Sequence, residues 1–207
     1  MELSQQQREK IIDRLKAEGC FSAVVYGSYA TGTATQTSDL DIFSIKESGD
    51  NYRIGEMWEG LALDVWIYSK TDLPSYESLI HIAEGRILFD QDDFGASLLK
   101  RLQEEKNKPV SPLPDWDIKM RIMWFEKMIK RAKIGDHEGN YRLHWLIFEL
   151  LENWFAFRCI RFEGSKKSFE TLRQEYPESY KIFGEALRPN ATIDDVARLV
   201  KHVTDSR

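Results

Sequence analysis

Cysteine is nearly absent from this chain of 207 residues, and its two copies, Cys20 and Cys159, sit in unrelated contexts. Neither a disulfide framework nor a zinc cluster is indicated. Histidine is almost as scarce, and His81, His137, His144 and His202 share no metal-ligand spacing. No apolar run approaches membrane-spanning length, and no signal peptide precedes the first helical pattern, so a soluble, cytoplasmic protein with no membrane partner is expected. Excess positive charge is missing as well. The formal net charge is −5, and nothing resembles the dense basic stripe of a protein that grips long nucleic acid.

The charge that is present is uneven. Residues 1–112 hold 12 Lys+Arg against 19 Asp+Glu, net −7, whereas residues 113–207 hold 17 against 15, net +2. Near the change lies the segment Asn107-Lys108-Pro109-Val110-Ser111-Pro112-Leu113-Pro114, where three prolines remove backbone donors and fix φ. A linker over 109–114 is expected between a domain at 1–108 and another at 115–207. A hydrophobic content of 42% is enough for one good core or two small ones.

Before the linker the pattern reads helix, strand, turn, helix, strand, strand, helix, strand, helix. Ser4 and Gln7 form a capping box, Ile11, Ile12 and Leu15 supply one apolar face, and Gly19 ends that helix. Further helices are expected over Leu73 to Ala83 and Phe94 to Glu105, with a short strand from Arg86 to Asp90. After the linker, Ile118, Ile122, Phe125, Ile129 and Ala132 recur at helical spacing. Gly135 to Gly139 breaks that helix, and Asn140 to Phe162, rich in Leu, Trp, Phe and Ile, reads as the central helix of a bundle. Segments around Ser168–Tyr176, Tyr180–Leu187 and Ile193–Val203 complete it. The fold class is α+β, a mixed sheet with helices followed by an all-α bundle.

The most informative stretch begins with an apolar run, Phe21 to Tyr26, that breaks abruptly at Gly27-Ser28, as a buried strand entering a tight turn. Ten residues separate Ser28 from Asp39, and Asp39 and Asp41 lie two apart at the start of a second strand-like run from Leu40 to Ile45. Strand residues at i and i+2 share a face, so two carboxylates project together beside a glycine turn with free N–H groups. Like charges side by side are costly without a cation, and hard oxygen donors favour Mg²⁺. Asp64 interrupts the apolar run Leu61 to Tyr68, where an unpaired carboxylate is expensive to bury. It is the third candidate ligand, with Asp72 and Glu59 as substitutes.

At these residues the chain resembles the nucleotidyltransferase superfamily that includes DNA polymerase beta, aminoglycoside nucleotidyltransferases and small bacterial nucleotidyltransferases. Gly27, Ser28, Asp39, Asp41 and Asp64 fall one by one on the superfamily pattern. Thr31 departs from it, standing where many small members carry Arg. The resemblance implies a nucleotidyltransferase domain in the first half, with Asp39, Asp41 and Asp64 both catalytic and metal-binding, and with Gly27, Ser28 and Ser38 against the nucleotide. It implies Mg²⁺ or Mn²⁺ as cofactor and a nucleoside triphosphate, ATP first among them, as donor. The chemistry is transfer of a nucleoside monophosphate to a hydroxyl of a small acceptor, with release of pyrophosphate.

The helical domain is expected to select that acceptor at the domain junction. On its central helix Arg142, Glu149, Glu152 and Asn153 form one polar stripe, read either as a substrate-facing wall or, preferably, as an ordinary solvated face. Two alternatives stand beside the small acceptor: adenylylation of a protein, as antitoxin-type members do, and a non-catalytic nucleotide-binding or interaction protein. A homodimer is compatible with all three.

Overall fold

A computed structural model describes residues 2–205, which divide into two compact units with the boundary between Lys108 and Pro109. The first unit is a five-stranded sheet with helices on both faces. In chain order its elements are α1 (Gln5–Ala17), β1 (Cys20–Tyr26), α2 (Gly27–Thr31), β2 (Leu40–Lys46), β3 (Tyr52–Trp58), β4 (Leu61–Ser69), a single 3₁₀ turn (Ile80–Ile82), β5 (Arg86–Asp90) and α3 (Phe94–Lys106). The strands lie in the order β3-β4-β2-β1-β5, parallel between β2 and β4 and antiparallel elsewhere, which is the mixed sheet expected.

Both faces of the central strands are covered, which is why β1 and β2 read as continuous apolar runs without alternation. One face, with Ala23, Val25, Ile42, Val65 and Ile67, packs on Ile11 and Leu15 of α1. The capping box of Ser4 and Gln7 closes the start of that helix. The other face, with Val24, Phe43 and Ile45, packs on Leu79 and Ile82 and on Leu98 and Leu102 of α3. Strands β2 and β4 can be parallel because the β3 excursion between them is long enough to return the chain to the same end.

Two local expectations fail. The segment Leu73 to Ala83 is a series of turns ending in the 3₁₀ turn, not a helix. Its buried Leu79, Ile82 and Ala83 have helical spacing, but the backbone bonds here run mostly three residues back, as from the Leu79 N–H to the Tyr76 carbonyl at 3.1 Å and from the Ile82 N–H to the Leu79 carbonyl at 2.9 Å. Strand β3 was not expected at all. It is an edge strand, exposed at four of its seven positions, with Gly55 at its centre, so neither alternation nor an apolar run marks it.

The second unit comprises α4 (Asp115–Ala132), α5 (His137–Ala156), α6 (Ser165–Glu175), α7 (Pro177–Ala186) and α8 (Ile193–Asp205). Its core gathers around Trp154 of α5, with Phe125 and Met128 of α4, Leu172, Phe183 and Leu199. Helix α5 starts earlier than Asn140 because the Asp136 carboxylate accepts the Gly139 N–H at 2.7 Å, making Asp136 its cap. It stops well before Phe162 because Cys159 takes a left-handed conformation, φ +54°, and the N–H of Ile160 turns back to the carbonyl of Phe155 at 3.0 Å. A glycine occupies that conformation at lower cost. Cys159→Gly is therefore expected to stabilise the protein by about 0.5–1 kcal/mol, read as a rise of a few degrees in thermal denaturation. His144 lies exposed on α5.

Candidate active site

A row of residues crosses the sheet where β1 ends. Tyr26 of β1 lies opposite Asp41 of β2, Asp41 opposite Asp64 of β4, and Asp64 opposite Gly55 of β3. Directly paired residues on neighbouring strands share a face, so one phenol and two carboxylates project together. The parallel register of β2 and β4 is thus what joins the Asp39-Leu40-Asp41 segment to Asp64.

Asp41 is half-buried, and among the described residues no group donates a hydrogen bond to its carboxylate. Burial, and after it the charges of Asp64 and Asp39, raise its carboxyl to about 6. Gly27 makes this position accessible. Its φ is +66°, and a Cβ built on it would lie 2.5 Å from Asp41 Oδ2. Only a residue without a side chain lets the turn run so close to the carboxylate.

Asp39 precedes β2 in the exposed turn, within electrostatic reach of Asp41 and without a hydrogen-bond partner among the described residues. Ser28 is the second residue of α2, and no side chain caps the start of that helix. Ser38 is engaged locally: its hydroxyl accepts the Thr35 N–H at 2.9 Å and closes the turn that leads to Asp39. Asp72, one of the substitutes for Asp64, is tied instead to Asn51, whose amide donates to its carboxylate at 2.8 Å. Glu59, the other, pairs with Lys10.

Three neighbours of the site carry no signal in the sequence. Tyr26 sits beside Asp41 and meets the His81 ring edge-on, with centroids 5.4 Å apart. Burial and the charges of Asp41 and Asp64 push its phenol well above the usual range. Arg53 of β3 donates to both oxygens of Asp64, Nε to Oδ1 at 2.6 Å and Nη2 to Oδ2 at 2.7 Å. Trp66, opposite Arg53 across the ladder, carries the guanidinium over its ring at 4.9 Å. No three His, Cys, Asp or Glu side chains among the described residues form a ready metal-ligand group.

The donor set nonetheless suits a hard divalent cation. It consists of carboxylate oxygens only, and one of the carboxylates, the half-buried Asp41, accepts no hydrogen bond among the described residues.

In the second unit the polar stripe of α5 splits up. Asn153 is buried, accepting from Arg121 Nη1 at 2.9 Å and donating to the Glu149 carbonyl at 2.8 Å, so it is no part of a solvated face. The Glu149 carboxylate accepts the Trp145 indole N–H at 3.2 Å. With Met120 and Trp124 these residues line a hollow of about 410 Å³ between α4 and α5. Arg142 pairs with Glu138, and Glu152 is exposed.

The chain belongs to the family of the nucleotidyltransferase domain, whose model matches residues 8–134. Nucleotidyl transfer is the general chemistry that this membership implies. Among solved structures the chain is similar to a nucleotidyltransferase-like protein from Exiguobacterium sibiricum 255-15, at 14% identity and a TM-score of 0.45, over 98% of this chain and 75% of that one. A search of the curated proteins finds no match. Among the described residues no helix is long and apolar enough to cross a membrane.

Proposed function

We propose that the chain transfers a nucleoside monophosphate from a nucleoside triphosphate, ATP first among the candidates, to a hydroxyl of a small acceptor in a Mg²⁺- or Mn²⁺-dependent reaction. The observation that carries this reading is the half-buried, unpartnered Asp41, in register with Asp64 and reached by a turn that tolerates only glycine. Left uncompensated, a carboxylate in that position costs stability, and a bound cation removes the cost. Asp39 and Asp41 would hold two divalent cations, with Asp64 joining them at the one beside the acceptor hydroxyl. The divalent ion supplies positive charge to the oxygens of phosphoryl transfer when it is bound.

The residues of the chain have separate tasks. Gly27 and Ser28 open α2 without a side-chain cap, leaving backbone N–H groups for phosphate oxygens. Tyr26, with its phenol kept protonated, walls the site beside Asp41 and offers an O–H donor to the ligand. In the reaction the acceptor hydroxyl gives up its proton to solvent, its oxygen bonds to the α-phosphorus, the bond from that phosphorus to the α–β bridging oxygen breaks, and pyrophosphate leaves with the electron pair.

Labelled nucleoside triphosphates with Mg²⁺ or Mn²⁺, offered with separate pools of small hydroxylated metabolites, RNA and proteins, test this reading. Label is expected in the small-molecule pool, dependent on the metal. Label on protein or RNA alone would replace the acceptor class and leave the transfer chemistry in place. Absence of any transfer, together with absence of metal binding, would refute the function.

A further inference from the structure

We propose that Arg53 is a positioning residue that holds Asp64 as an internal counter-ion, and that it surrenders this carboxylate to a divalent cation only when a triphosphate offers the guanidinium another anion. The inference rests on the metal-site reading above and concerns the order in which the site fills.

Three features of the pair support an exchange rather than a fixed brace. First, both oxygens of Asp64 accept from Arg53, Oδ1 from Nε and Oδ2 from Nη2, so a cation has to compete with the paired guanidinium for this carboxylate. Second, the partners differ in exposure. The Asp64 side chain is 20% exposed and that of Arg53 is 54%, so the arginine is the one free to leave. Third, its surroundings provide a place to go. Trp66 supports the guanidinium from one side at 4.9 Å, and Nη1 makes no hydrogen bond among the described residues. Gly55, opposite Asp64 on β3, leaves open space where a side chain would otherwise stand. A guanidinium sliding on an indole face keeps its stacking while its fork turns from a carboxylate to a phosphate.

The electrostatics point the same way. Arg53 lies within reach of Asp41 as well as Asp64, yet it hydrogen-bonds only the latter. In the ligand-free protein, therefore, Asp39 and Asp41 are the carboxylates open to a first cation, and Asp64 is withheld. A triphosphate brings the anionic oxygens that compete for the fork, so the second cation and the nucleotide bind with positive coupling.

Mn²⁺ binding to the full chain, counted by electron paramagnetic resonance of the free ion, tests the exchange. The wild type and Arg53→Gln are compared with and without a nucleoside triphosphate analogue in which a methylene group bridges the α- and β-phosphorus. The wild type is expected to bind one Mn²⁺ alone and two with the analogue. Arg53→Gln should bind two without it, the second roughly tenfold tighter than in the wild type, because the competing charge-assisted bonds are gone. Arg53→Lys, whose ammonium cannot make the paired bonds, should fall between them and serves as the reference if the glutamine variant unfolds. Identical Mn²⁺ stoichiometry in all three without analogue would overturn the exchange and make the pair a fixed strand-to-strand brace. So would two tight Mn²⁺ ions on the wild type alone, with the metal-site reading intact. No Mn²⁺ bound under any condition would remove the metal-site reading and this inference with it.

Discussion

Asp41→Asn should abolish nucleotidyl transfer and, in the metal-free protein at neutral pH, raise thermal stability. The two effects have one cause. Asp41 is held half-buried beside Asp64 and Asp39 without a hydrogen bond, so its ionised form is strained in the folded state and its carboxyl titrates near 6 against an ordinary 3.8. A folded-state value above the unfolded one means that the folded protein binds the proton more tightly. Stability is then greatest at pH values below about 4 as far as this group is concerned, falls as pH rises through about 6, and stays low above it. Asparagine has no proton to lose.

The variant and the wild type should therefore unfold alike near pH 4 in the presence of a chelator, and diverge by about 1 kcal/mol by pH 7 once solvent screening of a half-exposed group is allowed for. Added Mn²⁺ should stabilise the wild type and leave the variant unchanged, since only a ligand of the folded state raises stability. Melting curves across pH, with chelator and with Mn²⁺, provide the measurement. A variant less stable than the wild type at pH 7 without metal would contradict the strained carboxylate. Near-wild-type turnover would remove Asp41 from the site.

Gly27→Ala should disable the enzyme out of proportion to its effect on folding, and Gly32→Ala is the matched control. Both glycines have positive φ, +66° and +75°, so alanine at either position incurs the same backbone penalty, about 1 kcal/mol. Their surroundings differ. A Cβ at Gly32 meets nothing within 4 Å, whereas one at Gly27 lies 2.5 Å from Asp41 Oδ2. To fit the methyl group, either the turn or the Asp41 carboxylate has to move. Displacements of that size in an active site commonly cost about a hundredfold in rate. Transfer rates and denaturant midpoints for the two variants separate the effects. Equal activity in both would mean that the approach of the turn to Asp41 has no part in the chemistry.

The legible features were those written within a few consecutive residues. Gly27-Ser28 after an apolar run, the two-residue spacing of Asp39 and Asp41, the Ser4 and Gln7 box and the four-and-three periodicity of α4 each report local backbone geometry or the burial of one face. Asp64 was legible for a related reason, as a charge breaking an apolar strand. From these the sequence by itself determined the fold class, the family and the three carboxylates worth testing.

What only the tertiary structure decided is what each of those groups faces. Strand β3 left no local mark because an edge strand with Gly55 at its centre buries little on either side. Without β3 there is no Arg53 beside Asp64, and without the parallel register of β2 and β4 there is no Asp41 opposite Asp64. The α5 stripe shows the same limit, since Asn153 is buried only because Arg121 of α4 reaches it. Periodicity records how often a position is buried, while strand order and register are set by the packing of both sheet faces at once, and a slip of one residue would turn every one of these side chains to the opposite side.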